Sequence, residues 1–384
     1  MMKAIPHIIL IILLNARADT VTAQEISLSG QLIGWTAMNP TEDLRIQGGA
    51  RYIPEIHFSL PLGILSLEGE GSLNLWGSTD FTRTGTNESE FHFDSRLDPY
   101  RVWVKLSGYQ FELRAGLQKI NFGPARMLRP LMWFDRIDPR DPLQLTDGVY
   151  GLLGRYYFLN NVNIWLWGLY GNNQRKGLEQ FPTKEKGFEY GGRIQVPVAI
   201  GEAAISYHHR EADPDAVLPD SLHTDRVLPE SRLALDTKVD LLVGLWLEGS
   251  WSRYAGDVLP LDHTTMLNTG LDYTFNIGNG LNVMGEGFML MAGDKPFSTE
   301  QTMTLAGTTI SYPLNIIHNL SAIAFWDITN KNLYRFINWS ATYDRWTFYT
   351  MAFWNPRTYQ LYNFQQEASL FSGAGFQVMA VFNH

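Results

Sequence analysis

Glu68 and Glu70 stand two residues apart in LSLEGEGSLNLW, the stretch from Leu65 to Trp76. Two carboxylates so placed could act as a general acid and base, although neighbours on one wetted face need no such role. His208 and His209, followed by Glu211 and Asp213, could supply a hydrolytic base if a Ser or a carboxylate stood beside them. A plainer reading is an exposed pair at the base of a loop. The richest group lies between Lys119 and Asp147: Arg126, Arg129, Asp135, Arg136, Asp138, Arg140 and Asp141, interleaved with Met127, Met132, Trp133 and Phe134. Both signs of charge among large apolar side chains suit a constriction, where charged groups select what passes. A surface cap, or charges paired with one another for structure alone, is the competing reading. There is no HExxH, Gly-x-Ser-x-Gly, phosphate loop or Gly-x-Gly-x-x-Gly. No acidic loop has the spacing of a calcium site. The expectation is therefore no enzyme, no cofactor and no metal.

Strand periodicity positions these residues. In Leu65–Trp76 the odd positions are Leu or Gly and the even ones Ser, Glu, Asn or Trp. Side chains alternate faces on a strand, so one face is apolar or bare and the other polar. A helix would put Leu65 and Glu68 together and make no amphipathic stripe. The same pattern recurs along the chain, and the charges keep to one register. Glu68 and Glu70 share a face, as do Arg101 and Lys105, Glu112 and Arg114, Glu189 and Arg193, and Arg232, Asp236 and Lys238. These are candidate lumen-lining residues, because an Arg or Lys on a lipid face at the midplane costs about 2–4 kcal/mol.

Composition narrows the setting. The chain has 384 residues, 13% aromatic content, no cysteine and a formal net charge of −9. The acidic balance, with no basic block, argues against a nucleic-acid partner. Met1-Met2-Lys3, an apolar run to Leu14 and small residues after it form a secretory signal layout, with cleavage after Ala18 or Ala23. The run is shorter than the ~20 residues a spanning helix needs. An exported chain without cysteine has no disulfide framework, so its stability must come from the sheet.

Reading onward gives about 18 strands (16–18), joined alternately by short turns and longer polar loops. The first is read over Ile26–Met38, the second over Arg51–Leu60, and the last near Gly373–Phe382. Ser78–Pro99, Lys119–Asp147, Gly171–Gly187 and Arg210–Glu230 read as loops. A soluble sandwich has no reason to alternate short and long connections, whereas a transmembrane antiparallel β-barrel does, with turns periplasmic and loops outside. Tyr100, Tyr170, Trp326 and Trp354 fall near loop-side strand ends, as an interfacial girdle requires. The domain plan is a signal peptide over 1–23 and one barrel over 24–384, with 119–147 a loop folded into the lumen or capping it.

Leu113-Arg114-Ala115-Gly116-Leu117-Gln118, then Ile120 and Gly123, then Asp138-Pro139-Arg140-Asp141-Pro142, resembles a motif of bacterial outer-membrane porins similar to alginate-export and related substrate-selective barrels. The ending departs from that family's pattern, since Phe382 is followed by Asn383 and His384. The resemblance implies a cell outer-membrane location, lipid around the barrel and small hydrophilic solutes as partners. The leading expectation is passive diffusion through a charged, hydrated lumen. The alternative is a barrel enzyme, or a structural or assembly-partner barrel without a conducting pore. No plug domain is expected ahead of the first strand, and the sequence sets no oligomeric state.

Overall fold

The computed structural model describes residues 25–40, 44–83, 89–217, 226–256, 261–357 and 371–384. The expected signal peptide, 1–23, lies outside the described residues. Eighteen strands follow one another: β1 (Glu25–Asn39), β2 (Leu44–Leu62), β3 (Leu65–Arg83), β4 (Ser89–Ser107), β5 (Phe111–Gln118), β6 (Val149–Tyr157), β7 (Asn163–Tyr170), β8 (Phe188–Val198) and β9 (Gly201–Ala212). The second half is β10 (Leu228–Asp240), β11 (Gly244–Tyr254), β12 (His263–Phe275), β13 (Leu281–Gly293), β14 (Gln301–Pro313), β15 (His318–Asp327), β16 (Asn332–Tyr343), β17 (Trp346–Trp354) and β18 (Ala374–Asn383). Each pairs antiparallel with its sequence neighbours, and β18 pairs with β1, so the sheet closes. Closure leaves no free edge in lipid and satisfies the backbone groups that lipid could not.

One end of the barrel carries connections of two to five residues, such as Gly63-Ile64 and Asp344-Arg345, and the other carries the long loops. Leu166, Leu233 and Leu235 project outward and are exposed, while Arg193, Arg232 and Asp236 turn inward and are buried. Paired rings ring the turn end, among them Tyr156 with Phe158 and Tyr273 with Phe275, each 4.8 Å between centroids. Tyr170 and Trp326 lie exposed near the loop end.

Two sequence expectations change. Ser78–Pro99, read as a loop, is mostly strand, for β3 runs to Arg83 and β4 starts at Ser89. Its composition is polar, yet the two-residue period persists, with Phe81, Phe91 and Phe93 on one side and Asp80, His92 and Asp94 on the other. Arg45 bonds Asp80 across β2 and β3 and holds the extension together. Tyr100, expected in the outer girdle, instead faces inward. A register shift at Ser72/Leu73 pairs Arg101 with Ser72 and Pro99 with Leu73, leaving Tyr100 as the extra residue of a bulge.

The unusual ending has a structural place. His384 pairs backbone to backbone with Gly30 (3.2 and 3.1 Å), and its Nε2 lies 3.0 Å from the Tyr52 hydroxyl. A Cβ on Gly30 would come within 2.6 Å of that imidazole, so a larger residue there would displace the His384 side chain from the seam. Leu166, at the middle of β7 and 65% exposed, tests the membrane-facing side. Leu166→Arg is expected to destabilise the barrel folded in bilayers by about 2–4 kcal/mol, measured by denaturant titration, whereas Leu166→Val changes its stability little.

Candidate functional site: a diaphragm inside the barrel

The chain leaves β5 at Gln118, which is fully buried and donates its side-chain amide to the Arg114 and Gly151 carbonyls (3.2 and 3.0 Å). From there residues 119–148 cross the interior. Phe122, Leu131, Trp133 and Phe134 pack against Val149, Leu153, Trp167 and Leu169 of the inner wall. Phe122 stacks on Trp167 with centroids 5.8 Å apart, and the Arg193 guanidinium lies over the Phe122 ring, 5.0 Å from its centroid. Beyond this cluster the loop reaches the far wall. Met127 and Leu128 enter an apolar pocket of Phe288, Leu305, Phe325, Phe336 and Phe353.

Two carboxylates hold the far end. Glu286 on β13 accepts the backbone N–H groups of Arg126 (2.7 Å), Met127 (3.1 Å) and Leu128 (2.7 Å), and the side-chain amide of Asn268 (3.2 Å). Glu248 on β11 accepts those of Ala125 (3.1 Å) and Leu131 (2.7 Å). Both carboxylates are buried, and among the described residues neither has an ion-pair partner. Removing a carboxylate from water costs several kcal/mol, so each depends on its N–H donors. Gly123 sits at a φ of 90°, and a Cβ there would come within 2.5 Å of Glu248 Oε2. The loop passes too close to the wall for any larger residue.

The charges of the loop largely satisfy each other. Arg129 and Asp135 form a buried pair at 3.2 Å, and Arg129 also donates to Asn121 and to the Phe122 carbonyl. Arg140 bonds Asp138 and lies over the Phe371 ring. Asp141 accepts the N–H groups of Leu143 (2.9 Å) and Leu145 (3.2 Å), closing its own turn. Arg126 (3.6 Å from Asp272) is exposed and Arg136 (2.7 Å from Asp147 and 3.0 Å from Gln174) is half-exposed, so these two reach the water of the lumen.

A second loop, 171–187, braces the first. Gly177 donates its N–H to the Asp135 carbonyl at 2.9 Å. Glu179 joins Arg210, Glu230 and Arg232 in a buried network, with Arg232–Glu179 at 2.8 Å and Arg210–Glu230 at 2.5 Å. Lys176 lies 3.4 Å from Glu189. His208 is fully buried. Trp167 donates to its Nδ1 (3.1 Å), so its Nε2 carries the proton and donates to Glu189 (3.2 Å). That arrangement leaves His208 no open side for hydrolytic work. His209 points away, bonding Ser231 at 3.1 Å.

The sequence-derived lumen residues share the inner face, mostly in pairs. Glu68 bonds Lys105 (2.7 Å), and Glu70 accepts from Trp103 (2.9 Å). Glu112 binds Arg114 and Arg155 (3.1 and 3.3 Å), and Arg193 binds Asp236 (2.6 Å). Arg101 donates to the Thr146 carbonyl (2.7 Å) and so ties β4 to the loop, while Lys238 lies 3.5 Å from Asp240 near the turn end. Sequence reasoning passed over Glu248 and Glu286. Their signal was a single acid in an inward register otherwise made of Trp246, Ser250, Met284 and Phe288.

Burial pushes the Asp135 and Asp141 carboxyls above the usual carboxylate range, and for Asp135 the Arg129 charge only partly opposes it. A carboxyl raised in the folded state contributes stability that is complete below its unfolded pKa of about 4 and is lost as pH rises through the raised value. Lowering the pH below 7 is therefore expected to increase protection of the 135–145 amides in hydrogen exchange, after correction for intrinsic rates. Asp141→Asn should shrink that gain. At the far end, Glu286→Ala leaves three N–H groups without their acceptor, at about 1–3 kcal/mol each if they stay buried. The expected outcome is a folded barrel whose residues 126–128 exchange much faster; unchanged protection would show that the apolar pocket alone holds the loop.

No family model matches the chain, and no curated protein matches it by sequence. Solved structures do match over nearly its whole length. OccK7 (OpdD) of Pseudomonas aeruginosa aligns at 9% identity over 94% of this chain and 99% of its own, with a TM-score of 0.56. An anion-selective porin from Comamonas acidovorans aligns at 11% identity over 94% and 100%, with a TM-score of 0.50. Wzi of Escherichia coli, described as an outer-membrane protein involved in group 1 capsule assembly and a carbohydrate-binding β-barrel, aligns at 10% identity over 92% and 84%, with a TM-score of 0.50. At these identities the likeness is one of fold: the chain is an 18-stranded antiparallel barrel of the kind built by bacterial outer-membrane porins.

Proposed function

We propose that this protein is an outer-membrane porin through which small hydrophilic solutes diffuse passively, with residues 119–148 setting what passes. The observation that carries this reading is the loop fixed across the interior by Glu248 and Glu286, which leaves Arg126 and Arg136 facing water. A sheet of this strand number encloses more space than its own side chains fill. The loop narrows that space on one side and presents cations beside Asp272 and Asp147. Discrimination is then by size and by these local charges, with no catalytic step and no cofactor. The signal layout at the N-terminus supports export to the outer membrane.

A second reading, a barrel that binds a partner or ligand without conducting, has one observation in its favour. Met127 and Leu128 of the loop and Phe371 of the β17–β18 connection meet Phe336 and Phe353 in a dry apolar cluster, which blocks part of the interior. Planar-bilayer recording of the folded protein separates the two. Discrete conductance steps are expected, with Arg126→Gln and Arg136→Gln together moving the reversal potential in a salt gradient toward cation selectivity. Glu286→Ala, which frees the loop, is expected to enlarge or destabilise the open level. Absence of any conductance from protein shown to be inserted would move the non-conducting reading to the front.

A further inference from the structure

β4 runs from Ser89 to Ser107, but β5 pairs with it only over Val102–Ser107. Strands β5, β6 and β7, with eight or nine residues, have about the length of the ~9–11 tilted residues that cross a bilayer. The part of β4 from Ser89 to Tyr100 therefore stands beyond the hydrocarbon on the loop side, about 40 Å of strand at roughly 3.3 Å per residue. β3 covers one edge of it, and among the described residues no strand covers the other.

The backbone groups on that edge are fixed by alternation across the sheet. Gly30 and His384 exchange both backbone hydrogen bonds, so the even-numbered residues of β1 face β18 and the odd-numbered ones face β2. The pairs Ile33–Arg51, Tyr52–Leu75 and Trp76–Arg96 carry the alternation to β4. There the even-numbered residues bond to β3, and the N–H and C=O groups of Phe91, Phe93, Ser95 and Leu97 point to the uncovered side. Among the described residues none of these groups has a partner. Pro99, next in the series, has no N–H to offer, as suits the edge of a sheet.

The side chains follow the same division. Phe91, Phe93 and Leu97 project outward and are exposed. Glu90, His92, Asp94, Arg96 and Asp98 form the inward row, and the last four line a cavity of about 700 Å³ behind the edge. Arg96 lies 3.1 Å from Asp94, while Glu90 and Asp98 form no ion pair among the described residues, so the row is acidic, with a carboxylate at every fourth position. Beside an added antiparallel strand these residues occupy the non-hydrogen-bonded pairs, whose side chains approach more closely, so opposite charge on the newcomer counts.

We propose that the Ser89–Leu97 edge of β4 is a docking site for an extended segment of a partner polypeptide, antiparallel to β4, with apolar side chains outward and basic ones inward. Main-chain hydrogen bonds supply the affinity and the alternate side chains choose the partner. A second copy in the same membrane does not fit. A twofold axis along the membrane normal sets two strands tilted by about 35–45° across each other at about 70–90°, not side by side. The inference needs the barrel fold and not a conducting pore.

The test uses the full-length protein folded in detergent and the labelled peptide Lys-Val-Thr-Val-Lys-Val-Thr-Val-Lys, which sets a lysine opposite Glu90, Asp94 and Asp98. Residue-resolved hydrogen exchange of the free protein is expected to find fast amides at Phe91, Phe93, Ser95 and Leu97 and slow ones at His92, Asp94 and Arg96. The peptide is expected to bind saturably by fluorescence anisotropy and to slow the first set. Ser95→Pro removes an edge donor and no bond to β3, and is expected to weaken binding roughly tenfold or more. Glu90→Gln and Asp98→Asn are expected to weaken it roughly two- to fivefold each, and carry the test if Ser95→Pro does not fold. Slow odd-numbered amides in the free protein, no saturable binding, or an affinity untouched by the variants overturns the proposal. Equal binding by a peptide with Glu in place of Lys, or by one N-methylated at its two central valines, also overturns it. A dimeric mass together with slow odd-numbered amides gives the edge to a second copy instead.

Discussion

Two buried carboxylates that have no ion-pair partner among the described residues organise the interior. Glu248 and Glu286 each project from the wall into a space where water is excluded, and the backbone of residues 125–131 supplies the donors that make this tolerable. Docking of the loop removes water from both carboxylates, so its own N–H groups must take the place of that water. Without the carboxylates, a run of backbone N–H groups would be buried with nothing to accept them. Met127 and Leu128 then fill the apolar recess between these anchors and β14–β17. The other features of the loop, including the glycine at 123 and the Arg129–Asp135 pair, allow that one docking geometry.

The wall is divided in keeping with this. From β3 to β10 its inner face carries charges of both signs, nearly all matched with a neighbour across the sheet or with the 171–187 loop. From β13 to β17 the inner face is largely apolar around Glu286, with Met284, Phe288, Leu305, Phe325, Phe336 and Phe353. A diaphragm anchored on the second side can rest its aromatic stem, Phe122 and Trp133, on the first. Buried ion pairs add little net stability against well-packed apolar residues, but losing one member is costly. The charged half therefore specifies how strands and loops meet, while the apolar half supplies the binding surface for the loop tip.

Much of the architecture was legible because strands announce themselves locally. The alternation in Leu65–Trp76 and the single register of charges in β3, β4, β5, β8 and β10 sufficed to separate inner from outer face. Errors came where polarity was taken for irregularity. Ser78–Pro99 looked like a loop because its inward positions hold Asp, His and Ser, yet that is how a strand facing a watery vestibule must read. Tyr100 was placed in the outer girdle from its position near a strand end, and one bulge turned it inward. The loop charges were legible as a group but not in their pairing, so residues read as a charged constriction proved to be mostly self-neutralised, with Arg126 and Arg136 left facing solvent.

By itself the sequence determined the antiparallel barrel, the approximate strand number and the inward face of the strands that carry charges, because a two-residue period and the cost of charge in lipid act along the chain. Only the tertiary structure decided what the interior does. Ala125 and Glu248 stand 123 residues apart, and Arg126 and Glu286 stand 160 apart. No local pattern links such residues. They meet because closure of the sheet brings β11 and β13 opposite the end of β5, at a distance the loop can span.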